Sequence, residues 1–397
     1  MQVKKDLHLS YCTNIHPGQD WKSTFKSLQD FVPGIKKEVS NHQAFGLGLR
    51  LSNKASEELE NGQHMAIFQE WLKEQNVYVF TMNGFPYGNF HDERVKDMVH
   101  APDWTTKERL IYTKRLFKQL SVLVPEGING GISTSPITYK YWHKTDVEIK
   151  KAFELGALHM LEVAKYLFEL EQETGKYFHM DIEPEPDGLL ENSDEVLLFF
   201  SDYLLPLGIP FLKSELNIDA QKAEVLIKKH LTVCYDVCHF SLAYEEPKQT
   251  FAKFENDGIR VGKIQVSAAL KILFDGKNDE LTWAELGKFN EPTYLHQVTE
   301  KVGEQVQTYS DLPVVLKEKK PVKELRAHYH VPIFLERYGM LFSTQDHIIK
   351  TMDYIKNNPV SEHLEIETYT WDVLPKDLKQ DLSVSIIREI QWLKEYL

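Results

Sequence analysis

Short apolar or β-branched runs alternate with longer amphipathic segments along nearly the whole chain, each pair separated by a turn. Runs of the first kind read as strands, and apolar positions returning every three to four residues read as helices. The runs predict strands over residues 7–12, 45–51, 77–83, 129–134, 177–182, 231–237, 263–266 and 364–368. The amphipathic segments predict helices over 21–37, 56–74, 105–123, 147–173, 193–207, 220–229, 247–255, 345–356 and 378–396. Thr105-x-x-Glu108 has the form of a capping box at the start of one of them. Eight strand–helix repeats predict an α/β fold, a single (β/α)₈ TIM barrel spanning 1–397. The stretch after strand seven, about 270–340, is too long for an ordinary βα loop and reads as an insertion. It holds a short helix over 283–289, a second around 293–302, and the run Arg326-Ala-His-Tyr-His-Val-Pro-Ile-Phe334.

Composition narrows the partners. The chain has 397 residues, 42% of them apolar and 26% charged, a globular profile. A net charge of −13 argues against nucleic acid, which needs a basic footprint, and against an anionic membrane surface. The densest apolar run, Val196 to Phe200, stops at five residues, so no spanning helix is expected. The first residues lack the pattern of a signal peptide, and three cysteines are too few for a disulfide framework. The expectation is a soluble, cytoplasmic protein with reduced thiols.

Chemistry on a barrel gathers where the strands end at the C-terminal rim. Period-2 alternation puts His179, Asp181 and Glu183 on one face of the fifth strand, and Cys234, Asp236 and Cys238 on one face of the sixth. It groups Lys263, Gln265 and Ser267 on the seventh and Glu365 with Glu367 on the eighth. Carboxylates packed that closely repel one another, and a divalent cation supplies the missing charge. Three carboxylates and an amide suit Mn²⁺, Mg²⁺ or Co²⁺, or else Zn²⁺.

Blander readings stand beside each of these. The lesser alternative reads Glu183 and Glu185 as solvated loop carboxylates, and Asp236 as one half of a salt bridge with Lys263 or Arg326. Cys234 and Cys238 read as small buried hydrophobes, or with His239 as a Cys/Cys/His zinc site. His328 and His330 alternate along an extended segment, where they reach a metal, a substrate or a structural hydrogen bond. Arg50 ends the second strand, where it holds a carboxylate, phosphate or polyol, or an internal salt bridge. Asn83 opens the stretch Asn83-Gly-Phe-Pro-Tyr-Gly-Asn-Phe-His91, a lid, a sugar-stacking wall or a turn, and Asn14 and His16 share that ambiguity.

A Glu ending strand five, Asp236-x-x-His239 ending strand six, a polar residue on strand seven and a Glu on strand eight resemble the xylose isomerase-like TIM barrels. That superfamily includes sugar-phosphate isomerases and epimerases, inosose dehydratase and endonuclease-IV-like enzymes. The resemblance implies one divalent metal held by Glu183, Asp236, Gln265 and Glu367, with His239 beside it against the substrate. Gln265 departs from the usual histidine and resembles the inosose dehydratase branch. Longer motifs resemble the EboE family: His8-Leu-Ser-Tyr-Cys-Thr-Asn-Ile-His-Pro-Gly18, Gly46-Leu-Gly-Leu-Arg-Leu-Ser52, Tyr78-Val-Phe-Thr-Met-Asn-Gly-Phe-Pro-Tyr-Gly88 and Leu364-Glu-Ile-Glu-Thr-Tyr-Thr-Trp371. Its members are called metabolite traffic proteins, from bacterial gene clusters linked to export of secondary-metabolite precursors, which implies a small-molecule partner and pathway proteins.

The expected activity is a metal-dependent isomerase or epimerase acting on a sugar-like or polyol-like molecule. Glu183 and Glu367 exchange the proton, His239 assists, and Arg50, Asn83, Arg326, His328 and His330 are candidates for substrate contacts. The same geometry permits water elimination, and a carrier that binds without catalysis is the competing class.

Overall fold

The computed structural model describes residues 1–88, 96–370 and 381–397. Its larger sheet contains β1 (Gln2–Lys4), β2 (Leu7–Tyr11), β3 (Phe45–Arg50), β4 (Val77–Asn83), β5 (Gly130–Thr134), β6 (Phe178–Ile182), β7 (Leu231–Asp236) and β8 (Val261–Val266). A second sheet follows, with β9 (Ala268–Leu273), β10 (Val298–Val302), β11 (Gln305–Tyr309), β12 (Glu324–Val331), β13 (Arg337–Tyr338) and β14 (Leu341–Ser343). The chain then returns to the larger sheet as β15 (His363–Ile366).

The larger sheet runs β1-β2-β15-β8-β7-β6-β5-β4-β3, all parallel except the hairpin partner β1. The ring is nearly closed. Between β2 and β3 a single parallel bridge, Cys12 to Gly48, replaces a ladder. Side-chain oxygens take over the remaining bonds there: Gly48 N–H donates to Ser10 Oγ (2.7 Å) and Arg50 N–H to Thr13 Oγ1 (2.9 Å). Both faces of the strands are buried, which is why they read as dense apolar runs.

Outward positions such as Ile264, Val266, Leu364 and Ile366 pack under the helices, while their neighbours face the lumen. Polar layers fill that lumen. Lowest, His179 Nδ1 meets Asp181 Oδ1 at 2.6 Å. Above it Lys263 pairs with Glu365 and lies 3.3 Å from both Met82 O and Ser133 Oγ. Gly48 makes room for this pair, because a Cβ there would sit 1.7 Å from Glu365 Oε1. Lys263 is therefore committed to Glu365 and does not pair with Asp236.

Helices flank the ring. Trp21–Val39 opens with a capping box on Asp20 and Ser23, and Asp146–Thr174 with one on Thr145 and Glu148. The box at Thr105 does not form: its hydroxyl donates to Asp103 (2.6 Å), and the helix Lys107–Leu123 begins two residues later without a side-chain cap. The segment 56–74 is two helices, Asn53–Leu59 and His64–Glu74, parted near Gly62, whose φ is +57°. The helix begun at Ser193 continues through a π turn to Leu216. Its 24 residues are long and apolar enough by composition to cross a membrane, which the five-residue apolar run did not foretell. Residues 378–380 of the last helix, and 89–91 of the loop opened by Asn83, lie outside the described residues; the closing helix is described over Leu382–Lys394.

The second sheet, ordered β11-β10-β12-β9-β14-β13, is antiparallel throughout. Only Ser267 separates β8 from β9, so this sheet rises directly off the C-terminal rim. The helix expected around 293–302 is instead strand β10, which turns at Gly303 (φ +63°) into β11. The short helix is present as Asp279–Gly287.

Candidate metal centre

Four strands deliver side chains at or beside their C-terminal ends to one point. Pro184 ends β6, so Glu183 stands at its tip, its N–H extending the ladder to Thr134 O (3.0 Å). Asp236 closes β7 and caps the helix Val237–Leu242, its Oδ1 accepting from His239 N–H (3.1 Å) and from Ser267 Oγ (2.6 Å). Glu367 N–H donates to Val266 O (3.1 Å), carrying β15 one residue further. Gln265, on β8, lies among the three carboxylates. Its Nε2 donates to Glu367 Oε2 (2.6 Å), Glu183 Oε1 (2.9 Å) and Asp236 Oδ2 (3.1 Å). All four are buried.

An amide nitrogen carries two protons, and here three carboxylates compete for them. Gln265 Oε1 and Glu183 Oε2 have no hydrogen-bond partner among the described residues. Burial, then repulsion from its carboxylate neighbours, pushes Glu183 and Glu367 well above the usual carboxylate range. Burial also opposes ionisation of Asp236, but His239, His330 and the Ser267 hydroxyl hold it below its ordinary value. Among the described residues no lysine or arginine is paired with these three carboxylates.

This donor set fits a divalent cation. One oxygen from each of Glu183, Asp236 and Glu367 lies within 4.8 Å of the others. A half-turn of the Gln265 amide exchanges its nitrogen for the orphaned oxygen and completes an all-oxygen set.

Above this group stand three imidazoles. His239 Nδ1 faces Pro184 O (3.0 Å), His328 Nδ1 faces Gln297 Oε1 (2.9 Å) and His330 Nδ1 faces Glu367 O (2.9 Å). Burial, then the neighbouring histidines, drives His328 well below the usual imidazole range. Burial likewise takes His330 down to about 4. Phe85, Pro86, Val99, Tyr294, Leu295 and Tyr369 wall the mouth above them, and Asn14 and Asn83 share its floor.

The remaining candidates fall into two groups. Asn83 and Asn14 each donate to Glu367 Oε1 at 2.7 Å, so both position a carboxylate. Arg50 and Arg326 do not line the mouth. Arg50 donates to Gly18 O (3.0 Å) and Gly88 O, clamping two loops through carbonyl oxygens. Arg326 is held by Glu324 (2.7 Å), Ser241 O and His347 (3.2 Å), stacked over Tyr244. Neither arginine is placed to touch a substrate, and Arg326 is not the partner of Asp236. Cys234 is buried and free, and Cys238 Sγ is 3.5 Å from Tyr329 O and within 4.8 Å of ring nitrogens of His328 and His330; no group joins both cysteines to His239 among the described residues. Sequence reasoning missed Gln297, in an irregular segment, and His100, which ends the short 3-10 helix Lys96–His100 and faces Glu185 at 3.0 Å in the wall of the mouth. It also missed Tyr369, which the alternation Glu365, Glu367, Tyr369 already pointed to the same face.

No family model matches the chain, and no curated protein matches it. Solved structures do. A D-tagatose 3-epimerase-like protein superposes with a TM-score of 0.51 at 11% identity, covering 98% of this chain and 97% of that one. A xylose isomerase-like TIM barrel protein from Mycobacterium smegmatis in complex with magnesium gives 0.49 at 10% identity, covering 100% and 98%. The IOLI protein with a binding zinc atom gives 0.48 at 9% identity, covering 98% and 99%. At these identities the likeness speaks to architecture, and the first of the three carries it. The chain is similar in fold to that D-tagatose 3-epimerase-like protein, and it carries an additional antiparallel sheet on the rim.

Proposed function

We propose that this chain is a metal-dependent isomerase or epimerase acting on a sugar-like or polyol-like small molecule. The observation that carries the reading is the convergence of Glu183, Asp236 and Glu367 on Gln265 at the floor of the mouth. A divalent ion bound there would polarise neighbouring substrate oxygens and acidify the carbon between them. Burial and the neighbouring carboxylates raise both glutamates above the usual carboxylate range, the direction that lets a carboxyl hold and release a proton. Glu183 Oε2, without a hydrogen-bond partner among the described residues, takes the proton. Glu367, fixed by Asn14, Asn83 and Gln265, returns one. Phe85, Tyr294 and Tyr369 keep water from the reacting carbon, and His239 orients a substrate oxygen.

The EboE-like motifs favour a precursor of a secondary metabolite as the substrate. They also favour a second reading, a carrier on the same barrel, which predicts metal-independent ligand binding and no product. Two measurements separate them. Elemental analysis of protein purified without chelator is expected to find bound divalent metal that Asp236→Ala loses. On a panel of ketoses and polyols, Glu183→Gln and Glu367→Gln are each expected to lower turnover by at least about 10²-fold. Substantial activity in both variants would overturn the assignment.

A further inference from the structure

Nε2 of His239 lies 3.1 Å from Nε2 of His328 and 3.4 Å from Nε2 of His330. What those atoms carry is fixed from behind. Pro184 O and Glu367 O are carbonyl oxygens and only accept, so the Nδ1 atoms of His239 and His330 facing them are protonated. Gln297 Nε2 donates to Pro186 O (3.1 Å), which sets its amide so that Oε1 faces His328. His328 Nδ1 is therefore protonated as well. In their neutral forms all three rings aim an Nε2 lone pair into one buried space. A single proton on His239 bridges to one neighbour and leaves the other facing a lone pair.

We infer that His239, His328 and His330 form a second metal site, adjoining the carboxylate group and selective for a borderline ion such as Zn²⁺. Bonds of about 2.0–2.1 Å to zinc set tetrahedral nitrogen–nitrogen edges of about 3.3 Å, which the two edges meeting at His239 match. The carbonyl behind each ring is the arrangement that fixes the tautomer and orientation of a ligating imidazole. Carboxylates stand ready as further donors. Oxygens of Glu185 and Asp236 lie within 4.8 Å of ring nitrogens, Glu185 with His239 and His328, Asp236 with His239 and His330. Asp236 belongs to both groups and bridges them. Nitrogen ligands disfavour Mg²⁺ and the all-oxygen group accepts it, so the two positions sort ions by hardness. The second sheet acquires a role in this arrangement, because His328 and His330 both come from β12.

The test uses chelator-stripped full-length protein reloaded with Zn²⁺. Two ions per chain are expected in the wild type and one in His328→Ala or His330→Ala. Zinc-edge X-ray absorption of the wild type is expected to show imidazole scattering, which the carboxylate–amide group has no ligand to produce. A zinc spectrum with oxygen ligands alone overturns the inference without any variant having to fold. Unchanged stoichiometry in folded His328→Ala and His330→Ala does the same. Imidazole-bound zinc that persists in Glu367→Gln, with the other ion gone, supports both sites separately. Failure of the carboxylate site alone removes the proposed activity and leaves this site standing.

Discussion

Glu389 is buried on the closing helix Leu382–Lys394, its Oε1 accepting from Ile333 N–H (3.1 Å) and from the Thr368 hydroxyl (2.7 Å). Burial raises its carboxyl to about 8, against the pull of those two donors. A carboxyl raised in the folded state adds stability that is complete below its unfolded value and is lost as pH climbs through the folded one. The wild type is therefore expected to lose about 1.4 kcal/mol per pH unit between about pH 5 and 8 relative to Glu389→Gln. Thermal melts of both proteins across that range check it, and parallel curves would refute it. Single residues were the least legible scale. Asp236 and Glu367 were readable because strand alternation fixes direction. Arg50 and Arg326 were not, because a guanidinium reaches as easily for a carbonyl in a neighbouring loop as for a ligand, and sequence does not show which.

The strands of the ring depend on what their interiors must hold. At Gly48 a side chain would strike Glu365 and approach Tyr11 O to 3.0 Å, breaking the Lys263–Glu365 pair inside a fully buried lumen. Gly48→Ala is expected to cost at least about 1–3 kcal/mol in denaturant unfolding. Gly34 is the contrasting case: it lies on the exposed face of the helix Trp21–Val39 with nothing near an added Cβ. Gly34→Ala is expected to stabilise by about 0.5–1 kcal/mol, since it restricts the unfolded chain without touching a neighbour. Opposite signs for one chemical change test the layered interior directly. The eight barrel strands were legible to within two residues at either end because burial on both faces gives them continuous apolar runs. Strand β10 was not, because its burial fades along its length, from Val298 to an exposed Val302, leaving no clean alternation. The helix break at Gly62 was equally hidden, since apolar spacing resumes beyond it.

At the scale of the whole molecule, residues 183, 236, 265 and 367 meet only when the ring is assembled. Ion binding is then linked to folding, and an ion at 100 times its dissociation constant adds about 2.7 kcal/mol. Without an ion the same group opposes folding, because three carboxylates are buried together and their facing oxygens converge on the two protons of one amide. Glu183→Gln removes one of those charges at nearly constant shape. The chelator-stripped variant is accordingly expected to melt at or above the stripped wild type. Added Mg²⁺, which the imidazoles do not favour, is expected to raise the wild-type melting temperature by a few degrees and to leave the variant unmoved. A stripped variant that melts well below the wild type would mean that the carboxylates are already reconciled by protons. The mouth of the barrel would then be a structural network rather than a metal centre.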